Sequence, residues 1–161
     1  MSVKRILVEK AVQPLHLSSK VFRANSFLDH RYTCHGADVN PPLTIHHIPF
    51  NTETLALIFV DLDAPKGEFT HWLVWNIQPN QVLREDHIPG VEGVNDFRQH
   101  HYRGPCPPSG THKYVFRVFA LDTWLDIPSN AERKQLELAM ENHVLALGEL
   151  AVNYSHQEEV R

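Results

Sequence analysis

The sequence predicts a mainly β, sandwich-like domain with a small helical element towards the C-terminus. Three observations predict it. Apolar, β-branched and aromatic residues gather in short runs at 54–60, 71–77 and 113–122. Eleven prolines are spread over the chain, fixing turns and interrupting long helices. Helical periodicity shows only late, after Ser129. The chain has 161 residues, 42% of them hydrophobic and 21% charged, which fits one globular domain over 1–161 and excludes a disordered chain.

Residues 1–13 read as an N-terminal extension or edge element, and Leu15 to Val21 as strand-like. The polar stretch 29–42, with Gly36 and Pro41-Pro42, reads as a long ordered loop. Leu43 and Ile45 alternate with polar neighbours, as in a half-buried strand. Thr54 to Val60 is almost continuously apolar and fits a central strand covered on both faces. It runs into Asp61-Leu62-Asp63-Ala64-Pro65, and acidic residues between a buried strand and a fixed turn are well placed for chemistry. A second strand begins at His71 and runs to Ile77. The stretch 79–112 is long, irregular and rich in Pro and Gly, which predicts an ordered functional loop. Lys113 to Asp122 is the third strong strand.

Ser129 and Glu132 fit a capping box at the start of a helix. Leu136, Ala139, Met140, His143, Val144 and Leu147 fall on one helical face, so His143 is expected in the core. One long helix fits this pattern, and so does a helix of three to four turns followed by a short strand to Tyr154. Trp72, Trp75 and Trp124 are expected in the core. The segment 156–161 reads as a polar tail.

A net charge of −4 with His neutral weighs against nucleic acid as a partner. The longest apolar run, Leu55 to Val60, is far short of the ~20 residues of a membrane-spanning helix, so stable membrane insertion is not expected. Ile6-Leu7-Val8 is stopped by Glu9 and Lys10, too soon for a signal-peptide core. Cys34 and Cys106 are the only cysteines. Without an export signal they predict free thiols in a reducing cytoplasm, with a disulfide between them as the open alternative.

Four stretches resemble the phosphatidylethanolamine-binding protein family, whose members are also called Raf kinase inhibitor-like proteins. Tyr32-Thr33-Cys34-His35-Gly36, running on to Asn40-Pro41-Pro42-Leu43, is similar to the family's opening loop. Asp61-Leu62-Asp63-Ala64-Pro65 is similar to its Asp-Pro-Asp-Ala-Pro motif, with Leu62 in place of the proline. His71-Trp72 with Asn76 resembles the strand that follows. Gly104 to Tyr114 resembles its Gly-x-x-Pro-Pro…His-Arg-Tyr motif, with Lys113 in place of the arginine. Arg98 stands where bacterial relatives carry glycine after Asn95-Asp96-Phe97. The resemblance covers roughly residues 15–155 and points to the bacterial branch.

It implies a β-sandwich with a C-terminal helix and a shallow anion pocket at one end of the main sheet. By matching motif, the ligand-binding residues would be Asp61, Asp63, His71, Gly104, Cys106, Pro107, His112 and Tyr114. Two carboxylates tolerate a phosphate when one of them holds a proton or each faces a cationic partner. His71 and His112 are the expected partners, each giving one ring nitrogen to an aspartate and the other to phosphate. Alternation along the chain favours Asp61 as the direct pocket residue and Asp63 as the loop organiser. No cofactor is expected and no metal. His100, His101, Cys106 and His112 match no compact ligand spacing.

The leading reading is a non-enzymatic protein that binds a small anionic or phosphorylated ligand and regulates a protein partner through the pocket rim. One alternative is a phosphate-ester hydrolase using Asp61, His71 and His112 as acid and base. Ser109 lacks the Gly-x-Ser-x-Gly setting of a nucleophile, and Cys106 reads as a small packed residue. The other alternative is an interaction module that inhibits a kinase or protease. The oligomeric state stays open, a homodimer included.

Overall fold

A computed structural model describes residues 12–156. The strands are β1 (Gln13–Pro14), β2 (His16–Ser18), β3 (Leu43–His46), β4 (Thr54–Asp61), β5 (Phe69–Ile77), β6 (Val82–Leu83), β7 (Val91–Glu92), β8 (Thr111–Leu121) and β9 (Val144–Ser155), with helix α1 at Arg133–Met140. Six strands form the main sheet in the order β1-β9-β8-β4-β5-β7, and β2-β3-β6 form a small one. Among the described residues the architecture is mainly β, with one α-helix and no closed barrel. The N-terminal extension and the polar tail lie largely outside the described residues.

Strand β4 sits between β5 and β8, antiparallel to both. Its odd-numbered residues Leu55, Leu57 and Phe59 pack with Leu17, Leu43 and Ile45 of the small sheet. Its even-numbered residues Ala56, Ile58 and Val60 pack with Leu136 and Met140 of α1. Two covered faces explain why the run is continuously apolar rather than alternating.

The region after Ser129 departs from expectation. The helix begins three residues later than Ser129 as cap would place it, with Glu132 at the N-cap and Gln135 Oε1 accepting the Glu132 N–H at 3.0 Å. It spans 8 residues and stops at Met140, after which Asn142 turns the chain at φ 69°. Val144 and Leu147 belong to the 12-residue strand β9, which pairs along the whole of β8. Helical and strand periods overlap here, and the long open edge of β8 selects the strand. The helix is therefore followed by the last strand. His143 is half-exposed and its Nδ1 lies 2.8 Å from Asp122 Oδ1, an ion-pair position rather than a core one. Trp124 is also outside the core, 59% exposed where the chain leaves β8.

The long stretch 79–112 is ordered, and Asn95 orders it. Its buried amide donates to the carbonyls of His71 and His101 at 3.0 and 2.9 Å. Its Oδ1 accepts the N–H groups of Phe97 and Gln99 at 2.9 and 3.0 Å. Cys34 and Cys106 are joined in a disulfide, against the expectation of free thiols. Loops 29–42 and 102–108 lie side by side: Tyr102 Oη donates to the Tyr32 carbonyl at 2.8 Å, and the Cys34 N–H reaches the Pro105 carbonyl at 3.2 Å. That proximity brings the two Cα atoms to 5.5 Å, which a disulfide spans. The free-thiol premise of the cytoplasmic expectation falls with it. Among the described residues no helix is long and apolar enough to cross a membrane.

Replacing Asn95 by Ala removes four side-chain hydrogen bonds to backbone groups, one buried and three partly buried. Asn95→Ala should cost about 3 kcal/mol or more in urea unfolding. A loss within about 0.5 kcal/mol would show that the loop is held elsewhere.

Candidate functional site

Strand register delivers the site. Asp61, the last residue of β4, lies opposite Tyr114 of β8 on one side and Phe69 of β5 on the other. His112 precedes Tyr114 by two positions, on the same face of β8, and His71 follows Phe69 by two on β5. Asp61, His71, His112 and Tyr114 are thereby gathered at one end of the main sheet. The His71 and Tyr114 ring centroids are 5.5 Å apart, edge to face, and those of His112 and Tyr114 are 6.3 Å apart.

Both oxygens of the buried Asp61 carboxylate are engaged. Oδ2 accepts His112 Nδ1–H at 2.7 Å, and Oδ1 accepts the Asp63 N–H at 2.8 Å. Asp61 therefore orients a pocket histidine and holds its own turn as well. Asp63 is exposed and its Oδ2 accepts the Lys113 N–H at 2.8 Å, the loop-organising part expected of it. Leu62 uses the N–H that a proline lacks, donating to the Lys113 carbonyl at 2.9 Å. The substitution thus extends the β4–β8 pairing by one bond. Lys113 is itself exposed.

His71 differs from expectation. Its Nδ1–H donates to the carbonyl of Arg103 at 2.8 Å rather than to an aspartate. A carbonyl can only accept, so Nδ1 carries the proton and Nε2 presents its lone pair. Burial pushes the His71 imidazole below its ordinary value, opposed by the Arg103 carbonyl and the Asp61 charge. The ring is held edge to face by Phe97 and Phe69, at 5.1 and 5.5 Å.

Tyr114 is fully buried, and its hydroxyl makes no well-formed hydrogen bond, although the Asp61 carboxylate and the Cys106 backbone are close enough to act on it. Burial, and then the neighbouring Asp61 charge, push this phenol far up, so it remains a neutral donor.

The loop residues are placed more loosely. Gly104 is buried, with its N–H given to Asp38 Oδ1 at 2.8 Å, so that group is not free for an anion. A Cβ there would lie 2.0 Å from the Tyr32 carbonyl, which explains the glycine. Cys106 is exposed and tied in the disulfide, and Pro107 is buried. Arg98 has φ 63°, the left-handed region that favours glycine, and its guanidinium is held by Glu132. An open concavity of about 440 Å³ is lined by the 64–69 turn and Asp96, with none of Asp61, His71, His112 and Tyr114 in its lining.

Asp38, Asn95, Phe97 and Arg103 were not singled out by the sequence reading. Asp38 draws in the Arg103 guanidinium at 3.2 Å, and that guanidinium also lies 5.1 Å from the Phe97 ring centroid. Arg103 contributes its carbonyl to His71, and a main-chain group leaves no mark in sequence. The rings of His100 and His101 hydrogen-bond to backbone carbonyls, those of Glu92 and Tyr102.

A family model described as phosphatidylethanolamine-binding protein matches residues 18–155. A UPF0098 protein of Pyrococcus horikoshii is 45% identical over 152 residues, covering 86% of this chain and 76% of the relative. A UPF0098 protein of Chlamydia pneumoniae is 37% identical over 147 residues, covering 87% and 98%. Relatives are thus archaeal as well as bacterial. The crystal structure of a proposed phosphatidylethanolamine-binding protein homologue from Chlamydia trachomatis superposes with a TM-score of 0.86 at 32% identity, covering 90% of this chain and 99% of that one. Escherichia coli YbcL, described as a member of the mammalian family, gives 0.82 at 26% identity, covering 89% and 99%.

The lowered affinity of His71 for a proton has a signed consequence. Protonation favours the unfolded chain, so this contribution to stability is complete above about pH 6.5 and is lost as pH falls below it. Asparagine can keep the bond to the Arg103 carbonyl without titrating. His71→Asn should lose less stability than the wild type between pH 7 and pH 5 in urea unfolding. Equal losses would mean that His71 is not held neutral.

Proposed function

This chain belongs to the phosphatidylethanolamine-binding protein family, and we propose that it binds a small anionic, phosphorylated ligand where Asp61, His71, His112 and Tyr114 meet. The observation that carries this reading is the unpartnered Tyr114 hydroxyl. A buried donor without an acceptor costs about 1–3 kcal/mol. It is kept here between a carboxylate-oriented histidine and a second histidine with a free ring nitrogen. A ligand oxygen arriving among them would pair the Tyr114 hydroxyl, beside the His112 ring that Asp61 holds in place. The family gives no warrant for carrying lipid binding or kinase inhibition over by name.

Ligand binding would be felt at the rim, formed by exposed Asp63, Lys113 and Cys106. A protein partner reading that rim would respond to the occupied pocket. The separate readings of Ser109 or Cys106 as a nucleophile gain nothing from the geometry. Ser109 lies in an exposed turn and Cys106 is held in the disulfide.

Tyr114→Phe separates function from stability. Removing the unpaired hydroxyl should leave thermal stability equal or raise it by about 1 kcal/mol. Phosphate or phosphoethanolamine affinity, measured by calorimetry, should fall about tenfold, equivalent to about 1.4 kcal/mol. Unchanged affinity would remove Tyr114 from the site.

A further inference from the structure

Resting on the anion-binding reading, we infer that the site selects a monoanion that still carries a proton, dihydrogen phosphate or a phosphomonoester monoanion, over sulfate and phosphodiesters. The inference turns on the hydrogen-bond character of His71. Its Nδ1 proton is committed to the Arg103 carbonyl at 2.8 Å. Nε2 makes no well-formed hydrogen bond within the protein, the Gly104 backbone being the other group that acts on the ring, so in the neutral ring Nε2 is an acceptor. An acceptor facing a fully deprotonated oxygen sets two lone pairs against each other, whereas a P–OH group donates to it.

The charges facing His71 work in the same direction. From β4 comes the Asp61 carboxylate, and from β8 come His112, bound to that carboxylate, and the neutral Tyr114 hydroxyl. From loop 29–42 comes Asp38, and from the loop before β8 comes Arg103. The Arg103 guanidinium is spent on Asp38 and on Gln99 Oε1, at 3.2 and 2.8 Å. Lys113 points its backbone N–H at Asp63 and is exposed. No fixed cation among these residues is free to offset a dianion beside Asp61. A monoanion that also supplies a proton meets both constraints. Burial keeps the His71 ring from supplying that proton itself.

Sulfate and phosphodiesters carry no proton near neutrality, whereas a phosphomonoester takes up its second proton near pH 6. The site therefore favours a free phosphate or monoester head over the diester of an intact phospholipid.

The test is calorimetry on the full chain with inorganic phosphate, phosphoethanolamine, sulfate and dimethyl phosphate at pH 6 and pH 8. At pH 6, phosphate and phosphoethanolamine should bind at least tenfold tighter than sulfate or dimethyl phosphate. The affinity of phosphoethanolamine should fall at least tenfold by pH 8, and that of inorganic phosphate, which holds its proton to higher pH, about fivefold. His71→Asn, which keeps a donor for Arg103 and loses the Nε2 acceptor, should bring phosphate and sulfate to within threefold. Equal binding of phosphate and sulfate by the wild type overturns the inference and leaves the anion site standing. Persistence of the discrimination in His71→Asn overturns the assignment to His71. Failure of all four anions to bind at millimolar concentration overturns the anion site itself, and this inference with it. Should His71→Asn not fold, the wild-type comparison of phosphate with sulfate decides alone.

Discussion

Strand β4 is covered on both faces, and the site exists because of where that strand stops. The alternation of Leu55, Leu57 and Phe59 against Ala56, Ile58 and Val60 locks β4 between two packed layers. A slip of one residue would exchange the two faces and bury Asp61 among apolar side chains. Register therefore fixes Asp61 opposite Tyr114 to within a fraction of a residue. Tyr114, two positions beyond His112, is in turn fixed by the long β8–β9 pairing. A polar cluster with an unpaired buried hydroxyl is costly, and only a rigid sheet end can hold one open.

The loops are secured by different means. Asn95 gathers four backbone groups, among them the carbonyl of His71. Gly104 approaches the Tyr32 carbonyl so closely that no side chain fits. The Cys34–Cys106 bridge joins the same two loops 72 residues apart in sequence. All three act on the segment that supplies the Arg103 carbonyl. The protonation pattern of His71 is thus set by loop architecture rather than by a neighbouring acid. This is why an aspartate was the wrong partner to expect for it.

What could be read in the sequence was whatever leaves a side-chain signature. The runs 54–60, 71–77 and 113–122 are strands because continuous β-branched and aromatic residues have few other uses in a chain broken by prolines. Asp61, His112 and Tyr114 were legible through their spacing in resembling motifs, and the structure gathers them. Strand β9 was not legible. Val144, Ala146, Gly148, Leu150, Val152 and Tyr154 are buried at period two, yet Leu136, Met140, Val144 and Leu147 fit period 3.6 equally well. Only the need of β8 for a partner decides between them. The disulfide and the Asp38–Gly104 contact depend on two distant loops meeting, which spacing cannot reveal.

The two departures from the motifs acquire meanings once the backbone is considered. Leu62 supplies an N–H to the Lys113 carbonyl, so the turn between the aspartates is held by a hydrogen bond instead of by a proline ring. Lys113 contributes to the site through its main chain, whose N–H holds Asp63. A planar guanidinium fork is therefore not required for that bond. The consequence is electrostatic. With Arg103 neutralised by Asp38 and Lys113 turned to solvent, the proposed selectivity for an anion would not come from excess positive charge. It would come from the count of donors and acceptors around one buried hydroxyl and two oriented rings. On that proposal the site would discriminate by where the ligand keeps its protons rather than by how much charge it carries.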